Sequence, residues 1–376
     1  MERKINTEMF VLRSIACLSI ALLHALYRVY DDGNTPWVES VGLLLTFGTP
    51  VFVFISQFVL SFAYPDGIPA GFWGKRVKYI FLPYIFFGAL YAGLKGLDMA
   101  SRDGIPLLKA SWYYLWRHLL LGDFHGYFIL VIFQFYALYI LFQRYEKRFT
   151  PRTMLIVSFV INIVYLGFFN FTQPADTVAV QYIWDKMYWI FSPGWIFYFT
   201  VAYYLGRNET WFREKLKRFR LAVYTLPVLT GALVLFVNGQ GWITSHSSKR
   251  IDMLLFTLSM ILLLFMVASR MRKVPRVLEW SSRYSFGIYL LHPLLLALFV
   301  KLPSFFGLQN LGLFSVVLQF VGCVVGSAIV MNIANRIPGG AYVFGRVGIG
   351  LNRSKTTKSS DTPTISSVGH SNQPTV

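Results

Sequence analysis

Charge is scarce in this 376-residue chain. Only 14% of its residues are charged, against about 25% in a soluble globular protein. Acidic residues are scarcer still, 17 against 35 Lys and Arg. The two cysteines, Cys17 and Cys323, both lie in apolar runs, which argues against a disulfide framework or a zinc site. No G-x-S-x-G elbow is present, no Gly-rich phosphate loop, and no His/Cys/carboxylate grouping with metal spacing. Soluble dinucleotide enzymes, disulfide scaffolds and serine hydrolases of the elbow type therefore drop out. What is abundant is apolar and aromatic: 55% hydrophobic residues, with 35 Phe, 22 Tyr and 10 Trp, and a mean hydropathy of +0.52. That composition predicts an all-α, polytopic integral membrane protein.

Apolar runs long enough to cross a bilayer fall at about 9–28, 42–64, 77–97, 127–143, 153–171, 189–206, 220–238, 251–269, 284–301 and 312–335, about ten transmembrane helices. The connection 97–126 is expected to hold an interfacial helix around Trp112–Leu121. The basic start followed by an apolar run mimics a secretory signal. Arg13 inside that run and the lack of a clean small-x-small site predict a retained first span. Residues 1–350 read as one membrane-embedded domain. Residues 351–376, rich in Ser and Thr, read as a disordered cytoplasmic tail. No internal repeat is evident.

The net charge of +18 suits nucleic-acid binding or the positive-inside bias of membrane proteins. The distribution of Lys and Arg decides. With ten spans and the N-terminus inside, 25 of the 35 fall on the cytoplasmic side, 9 outside, and Arg13 within the first span. The expectation is a multi-pass protein of the cell membrane with both termini cytoplasmic, and no nucleic-acid partner.

Ionisable groups within a span point to function. The first span holds Arg13 and His24, eleven residues apart. That spacing puts both on one helix face, ~16 Å apart along the axis. The competing reading is an Arg that snorkels to one interface and a His that caps the other end. Further motifs accompany the pair: PVFVFISQFVLSF (50–62), FWGKRVKYIFLPY (72–84), HGYFILVIFQFYALY (125–139) and SSRYSFGIYLLHPLLLAL (281–298). Together with Arg-x10-His these ordered segments resemble the signatures of the type 3 membrane acyltransferases, over about the first 350 residues. The sequence departs from the family's pattern at Gln57, where Gly is usual, at Lys78, where Arg is common, and at Tyr127, in place of Trp.

The resemblance implies transfer of an acyl group, acetyl or succinyl, from cytoplasmic acyl-CoA to a hydroxyl of a cell-envelope polysaccharide or related glycan. It also implies acyl-CoA as a donor substrate, with no permanently bound cofactor. The alternative is a polysaccharide or lipid-linked sugar exporter without acyl transfer, although no repeated halves are evident. In the acyltransferase reading His24 is the general base, since an unperturbed histidine titrates near neutrality. Arg13, with its phosphate-matching fork, holds the donor phosphates, and Lys75 and Arg76 add to that site or merely anchor the inner face. His292, mid-span before Pro293, is a pocket residue or a hydrogen-bonded core histidine. His125, at the mouth of the fourth span, is an acceptor contact or an interfacial residue. Ser56 is a candidate oxyanion donor, unless its hydroxyl serves its own helix backbone. Gln134 falls half a turn from His125 and is not expected to share its face. The H-x4-D pair His118 and Asp123 lacks the α/β context that would make it an acyltransferase motif of soluble type. No metal ligands are expected.

Overall fold

A computed structural model describes residues 7–30, 35–305 and 312–348, without the side chains of 301–305. The tail expected at 351–376 and the basic pair Arg3 and Lys4 lie outside the described residues, and of Lys301 only the backbone is described. Among the described residues the secondary structure is helical, with no strand.

The first apolar run is one helix, α1 (Thr7–Tyr30). The second is two: α2 (Pro36–Leu45) and α3 (Gly48–Ala63) meet at a break where Thr46 Oγ1 donates to the Leu43 carbonyl at 2.7 Å. The third begins earlier than its hydropathy suggests. A short α4 (Phe72–Arg76) passes through a π-type widening at Val77–Phe81 into α5 (Leu82–Asp103). Pro83, just inside α5, has no N–H to give the ladder, and the widening sits where that ladder is disturbed.

Next comes α6 (Leu107–Leu121), which folds back on α5. A Cβ on Gly96 would come within 2.7 Å of the Ser111 backbone, so this hairpin closes at backbone contact. Leu108, Trp112, Trp116 and Leu120 of α6 are exposed, the pattern of a helix facing lipid and headgroups.

The remaining long helices are α7 (Tyr127–Tyr145), α8 (Pro151–Phe171), the short α9 (Val178–Asp185), α10 (Ile196–Arg207), α11 (Glu209–Arg218), α12 (Arg220–Gly239), α13 (Ile251–Arg270), α14 (Arg276–Phe305) and α15 (Leu313–Ala334). Nine segments among the described residues are long and apolar enough to span a bilayer. The predicted crossing at 189–206 is the one built differently. Two short 3₁₀ pieces, Met187–Trp189 and Ser192–Trp195, precede an α10 of 12 residues. Twelve residues rise only ~18 Å, less than the ~30 Å hydrocarbon core. Pro193 and Gly194 stop the α-helix from extending backward.

Packing is organised around α1, which touches α2, α3, α13, α14 and α15. Thirteen of its side chains are buried. Without a hydrophobic drive between helices in lipid, close approach needs small residues. Gly48 of α3 provides one: a Cβ there would lie 2.6 Å from the Ala16 carbonyl of α1. On the other flank the Ser14 hydroxyl pairs with that of Ser281 on α14, and Cys17 Sγ lies 3.7 Å from the Ser285 carbonyl. The start of α1 is tied to α11 by the Glu8–Arg213 ion pair. Outward faces of α8, α12 and α15 stay apolar and exposed, as at Val164, Val228, Leu229 and Phe314, the surface a bilayer covers. The chain is a multi-pass membrane protein.

Candidate active site

The second half of α1 opens onto a cavity of about 360 Å³. His24 lines it and is exposed there, whereas most of α1 is buried. Its wall is completed by the α2–α3 break, the turn before α7, the 186–190 segment, the 246–249 segment and the middle of α14.

Pro293 explains why α14 is chemically active at this level. With no N–H of its own, it leaves the Tyr289 carbonyl without its helical donor. A free carbonyl in a membrane interior must find another. His292 Nδ1 lies 2.9 Å from that carbonyl and 3.0 Å from that of Ile288. Since a carbonyl only accepts, Nδ1 carries the proton and donates to both. The neutral ring then has its lone pair on Nε2, which is buried and has no hydrogen-bond partner. His292 is 2% exposed, and its ring centroid lies 5.0 Å from that of His24. His292 is thus a hydrogen-bonded, buried residue of α14 that also lines the cavity.

The same stretch of α14 fixes His125. Gly122, at φ 60°, ends α6 in a left-handed cap, a conformation glycine adopts without penalty. Gly126 lies under the Phe124 ring, where a Cβ would collide. The turn these glycines permit carries His125 to α14, where its Nε2 donates to the Leu290 carbonyl at 3.2 Å. The Leu290 carbonyl also accepts from Tyr91 at 2.8 Å, and the Tyr289 hydroxyl donates to the His125 carbonyl at 2.6 Å. The rings of His125 and His292 lie 5.6 Å apart. His24, His125 and His292, from separate parts of the chain, thus meet in one cavity, which His246 also lines. Burial pushes His125 down to about 3, against the opposing pull of its bond to Leu290, so it stays neutral at physiological pH.

The other expected residues sit elsewhere. Arg13, on the first half of α1 and half-buried, feels the charge of Arg76 and the Tyr136 hydroxyl. Arg76 lies over the rings of Phe72 at 4.8 Å and Tyr136 at 5.3 Å. Lys75 is exposed beside it. Ser56 is outside the cavity lining, and its hydroxyl accepts a long bond from Gln57 Nε2 at 3.5 Å. His118 and Asp123 do not form an acid–base pair: His118 Nδ1 bonds the Gly88 carbonyl, and Asp123 is held by Arg117 at 2.7 Å. Gln134 clamps the 190–192 segment through the Ile190 carbonyl and the Ser192 N–H; His125 lies in the turn before α7, so the helical spacing between the two does not apply.

Lys249 is the residue that sequence reasoning missed. It is 3% exposed and lines the cavity. Its Nζ lies 3.8 Å from the centre of the Trp195 ring and donates to the Tyr127 hydroxyl at 3.1 Å. Burial pulls its ammonium well below the ordinary lysine range. Asn170 of α8 fixes the backbone on both sides, donating to the Lys249 carbonyl at 3.1 Å and accepting from the Ile251 N–H at 2.9 Å. The signal in the sequence was a Lys–Arg pair, 249–250, on the side expected to carry few cations. Arg250 is neutralised by Asp252 in a two-pronged pair; Lys249 is not.

A family model described as an acyltransferase domain matches residues 6–332. The chain belongs to the type 3 membrane acyltransferase family. It is an enzyme that transfers acyl groups other than aminoacyl groups. It is 38% identical over 352 residues to the "Putative membrane-bound acyltransferase YfiQ" of Bacillus subtilis, covering 90% of this chain and 94% of that one. It is 28% identical over 341 residues to a "Probable poly-beta-1,6-N-acetyl-D-glucosamine export protein" of Staphylococcus aureus, covering 88% and 93%. A protein of the same name from Staphylococcus epidermidis is 26% identical, covering 78% and 82%. No solved structure matches the chain.

The depressed value of His125 has a consequence for stability. Between its folded value and the ordinary histidine value of about 6.5, the unfolded chain binds a proton that the folded one refuses. Stability is complete above that window and falls as pH drops through it. His125→Gln, which keeps a donor for the Leu290 carbonyl, is expected to lose a few degrees less melting temperature than wild type between pH 7.5 and 5.0. Thermal unfolding in nanodiscs at the two pH values checks this, and equal losses would remove His125 as an acid-labile point.

Proposed function

We propose that this acyltransferase moves an acetyl or succinyl group from cytoplasmic acyl-CoA to a hydroxyl of a cell-envelope polysaccharide, with His24 as general base. The observation that carries the reading is the exposure of His24 in a cavity beside the buried, tautomer-fixed His292. As the acceptor hydroxyl attacks the thioester carbonyl, His24 takes its proton. The tetrahedral intermediate collapses, the carbon–sulfur bond breaks, and the coenzyme A thiolate leaves with the proton returned by His24. The neutral His292 beside it avoids a second positive charge when His24 is protonated.

Arg13 and Arg76 suit the donor end. Two guanidinium groups brought together from α1 and α4 favour a polyphosphate, and Tyr136 neighbours both. The thin pantetheine arm would bridge the ~16 Å along α1 toward His24. Polysaccharide as the acceptor class rests on the names of the staphylococcal relatives. Those names describe export, so an exporter that performs no transfer is the competing outcome in the assay below.

In this reading the cavity faces outward and the Arg13 end faces the cytoplasm. Cysteines introduced within 240–248 are expected to react with an impermeant maleimide on intact cells, and cysteines within 208–218 to stay protected. The reverse pattern would invert the orientation and the sidedness of donor and acceptor.

His24→Ala is expected to cut transfer by about 10²–10⁴-fold, the usual worth of a positioned base, while donor binding stays near wild type. Purified protein in nanodiscs, acyl-CoA and a glycan acceptor provide the assay. Near-normal turnover in folded His24→Ala protein would remove His24 as base, and wild type that binds glycan but never transfers would favour export.

Arg13→Lys is expected to weaken coenzyme A binding at least about tenfold although the charge remains, because the ammonium lacks the planar fork. Binding measured by calorimetry decides it. Wild-type affinity in Arg13→Lys would reduce Arg13 to a point charge.

A further inference from the structure

Three lysines line the cavity: Lys95, Lys186 and Lys249. None of them is in an ion pair among the described residues. One carboxylate, Asp123, shares that wall, and Arg117 already holds it at 2.7 Å. The cavity therefore carries a surplus of cations with no free counter-charge on its wall among the described residues. Lys95 and Lys186 are exposed, so water screens them. Lys249 has no such relief.

The setting of Lys249 is that of a binding group rather than a filler. Of its three N–H bonds, two meet hydroxyl oxygens, Tyr127 at 3.1 Å and Ser248 at 3.4 Å. The rings of Trp195, Tyr127 and Trp189 lie 3.8, 5.2 and 5.6 Å from Nζ. Their faces attract a cation but bring no negative charge. A lysine whose task was packing would extend to water with its ammonium. Here Asn170 pins the backbone on both sides and keeps the ammonium inside. A cation held in an aromatic-walled cavity, away from bulk water, binds an anion far more strongly than a surface lysine does.

We propose that Lys249, with Lys95 and Lys186 at the rim, forms an anion subsite in the cavity that recognises a carboxylate or phosphate on the reacting partner. The anion belongs either to the acceptor glycan, as a uronate or phosphate, or to the acyl group, as the free carboxylate of a dicarboxylic half-ester. This rests on the cavity being the acceptor side proposed above. Poly-N-acetylglucosamine, for which the staphylococcal relatives are named, carries no such group. Burial lowers the affinity of Lys249 for its proton, and an arriving anion restores it, so the charge is fully expressed when the ligand is in place.

The test reads binding, so it does not require transfer. Full-length protein in phosphatidylcholine nanodiscs is titrated calorimetrically with hyaluronan tetrasaccharide, which carries carboxylates, and with neutral chitotetraose. In parallel it is titrated with succinyl- and acetyl-coenzyme A. Wild type is expected to bind the anionic member of one pair at least about tenfold tighter. Lys249→Met should abolish that preference and Lys249→Arg should keep most of it. Lys95→Gln and Lys186→Gln, at exposed positions, should each weaken it several-fold. Preference within the saccharide pair puts the anion on the acceptor, and preference within the coenzyme A pair puts it on the acyl group. No preference in either pair, or one that survives Lys249→Met in folded protein, overturns the subsite. Should Lys249→Met fail to fold, the two rim variants decide, and an unchanged preference in both overturns it. Absence of transfer with either donor, alongside an intact anion preference, would count against the acyl-transfer reading and not against this one.

Discussion

A backbone carbonyl inside a bilayer has no water to turn to, and in α14 one proline takes a donor away. The cavity is arranged around that deficit. The Tyr289 carbonyl, deprived by Pro293, recruits Nδ1 of His292. This fixes the ring's tautomer and turns its lone pair to Nε2. One residue on, the Leu290 carbonyl takes donors from two other elements, Tyr91 of α5 and His125 of the turn before α7. The Leu290 carbonyl thereby ties α5 and the α6–α7 turn to α14, which packs against α1. With an N–H at position 293 the Tyr289 carbonyl would be satisfied within α14, and His292 would lose the bond that fixes its ring.

Legibility in the sequence followed the range of the physics. The apolar runs marked the membrane segments because lipid imposes length and hydropathy on each helix separately. The helix around Trp112–Leu121 was equally local. The crossing at 189–206 read as one helix because hydropathy does not see Pro193 and Gly194 dividing it. Arg13 and His24 were legible as a pair because eleven residues on one helix fix their relation. The meeting of His24, His125 and His292 was not, since α1 and α14 are separated by most of the chain. Lys249 was hidden for the opposite reason. Its neighbour Arg250 has a carboxylate two residues away, and only the fold shows that Lys249 has none and faces the cavity instead.

The helix α1 explains how one small protein would keep two chemistries apart. Its first half packs against α3, α13, α11 and, through Ser14 and Cys17, α14, and bears Arg13. Its second half is walled by α14 and α15 and bears His24. A guanidinium suits a hydrated polyphosphate; a histidine acting as base must be unprotonated before each turnover. Placing both in one pocket would depress the histidine's proton affinity by direct repulsion and crowd the leaving thiolate with cations. Three helical turns of separation reduce that coupling while keeping both groups on one face, where an extended donor can touch both.

The same separation bears on the cations at the other end. Lys249, Lys95 and Lys186 share the cavity with His24. An anion bound among them would place a counter-charge near the imidazolium that forms as the hydroxyl loses its proton. Substrate charge and base chemistry are then linked: a ligand carrying the correct anion both occupies the cavity and eases the proton transfer, whereas a neutral one brings no such counter-charge. Selection would thus act on turnover as well as on affinity, because the field that discriminates between ligands is the field in which the base must work.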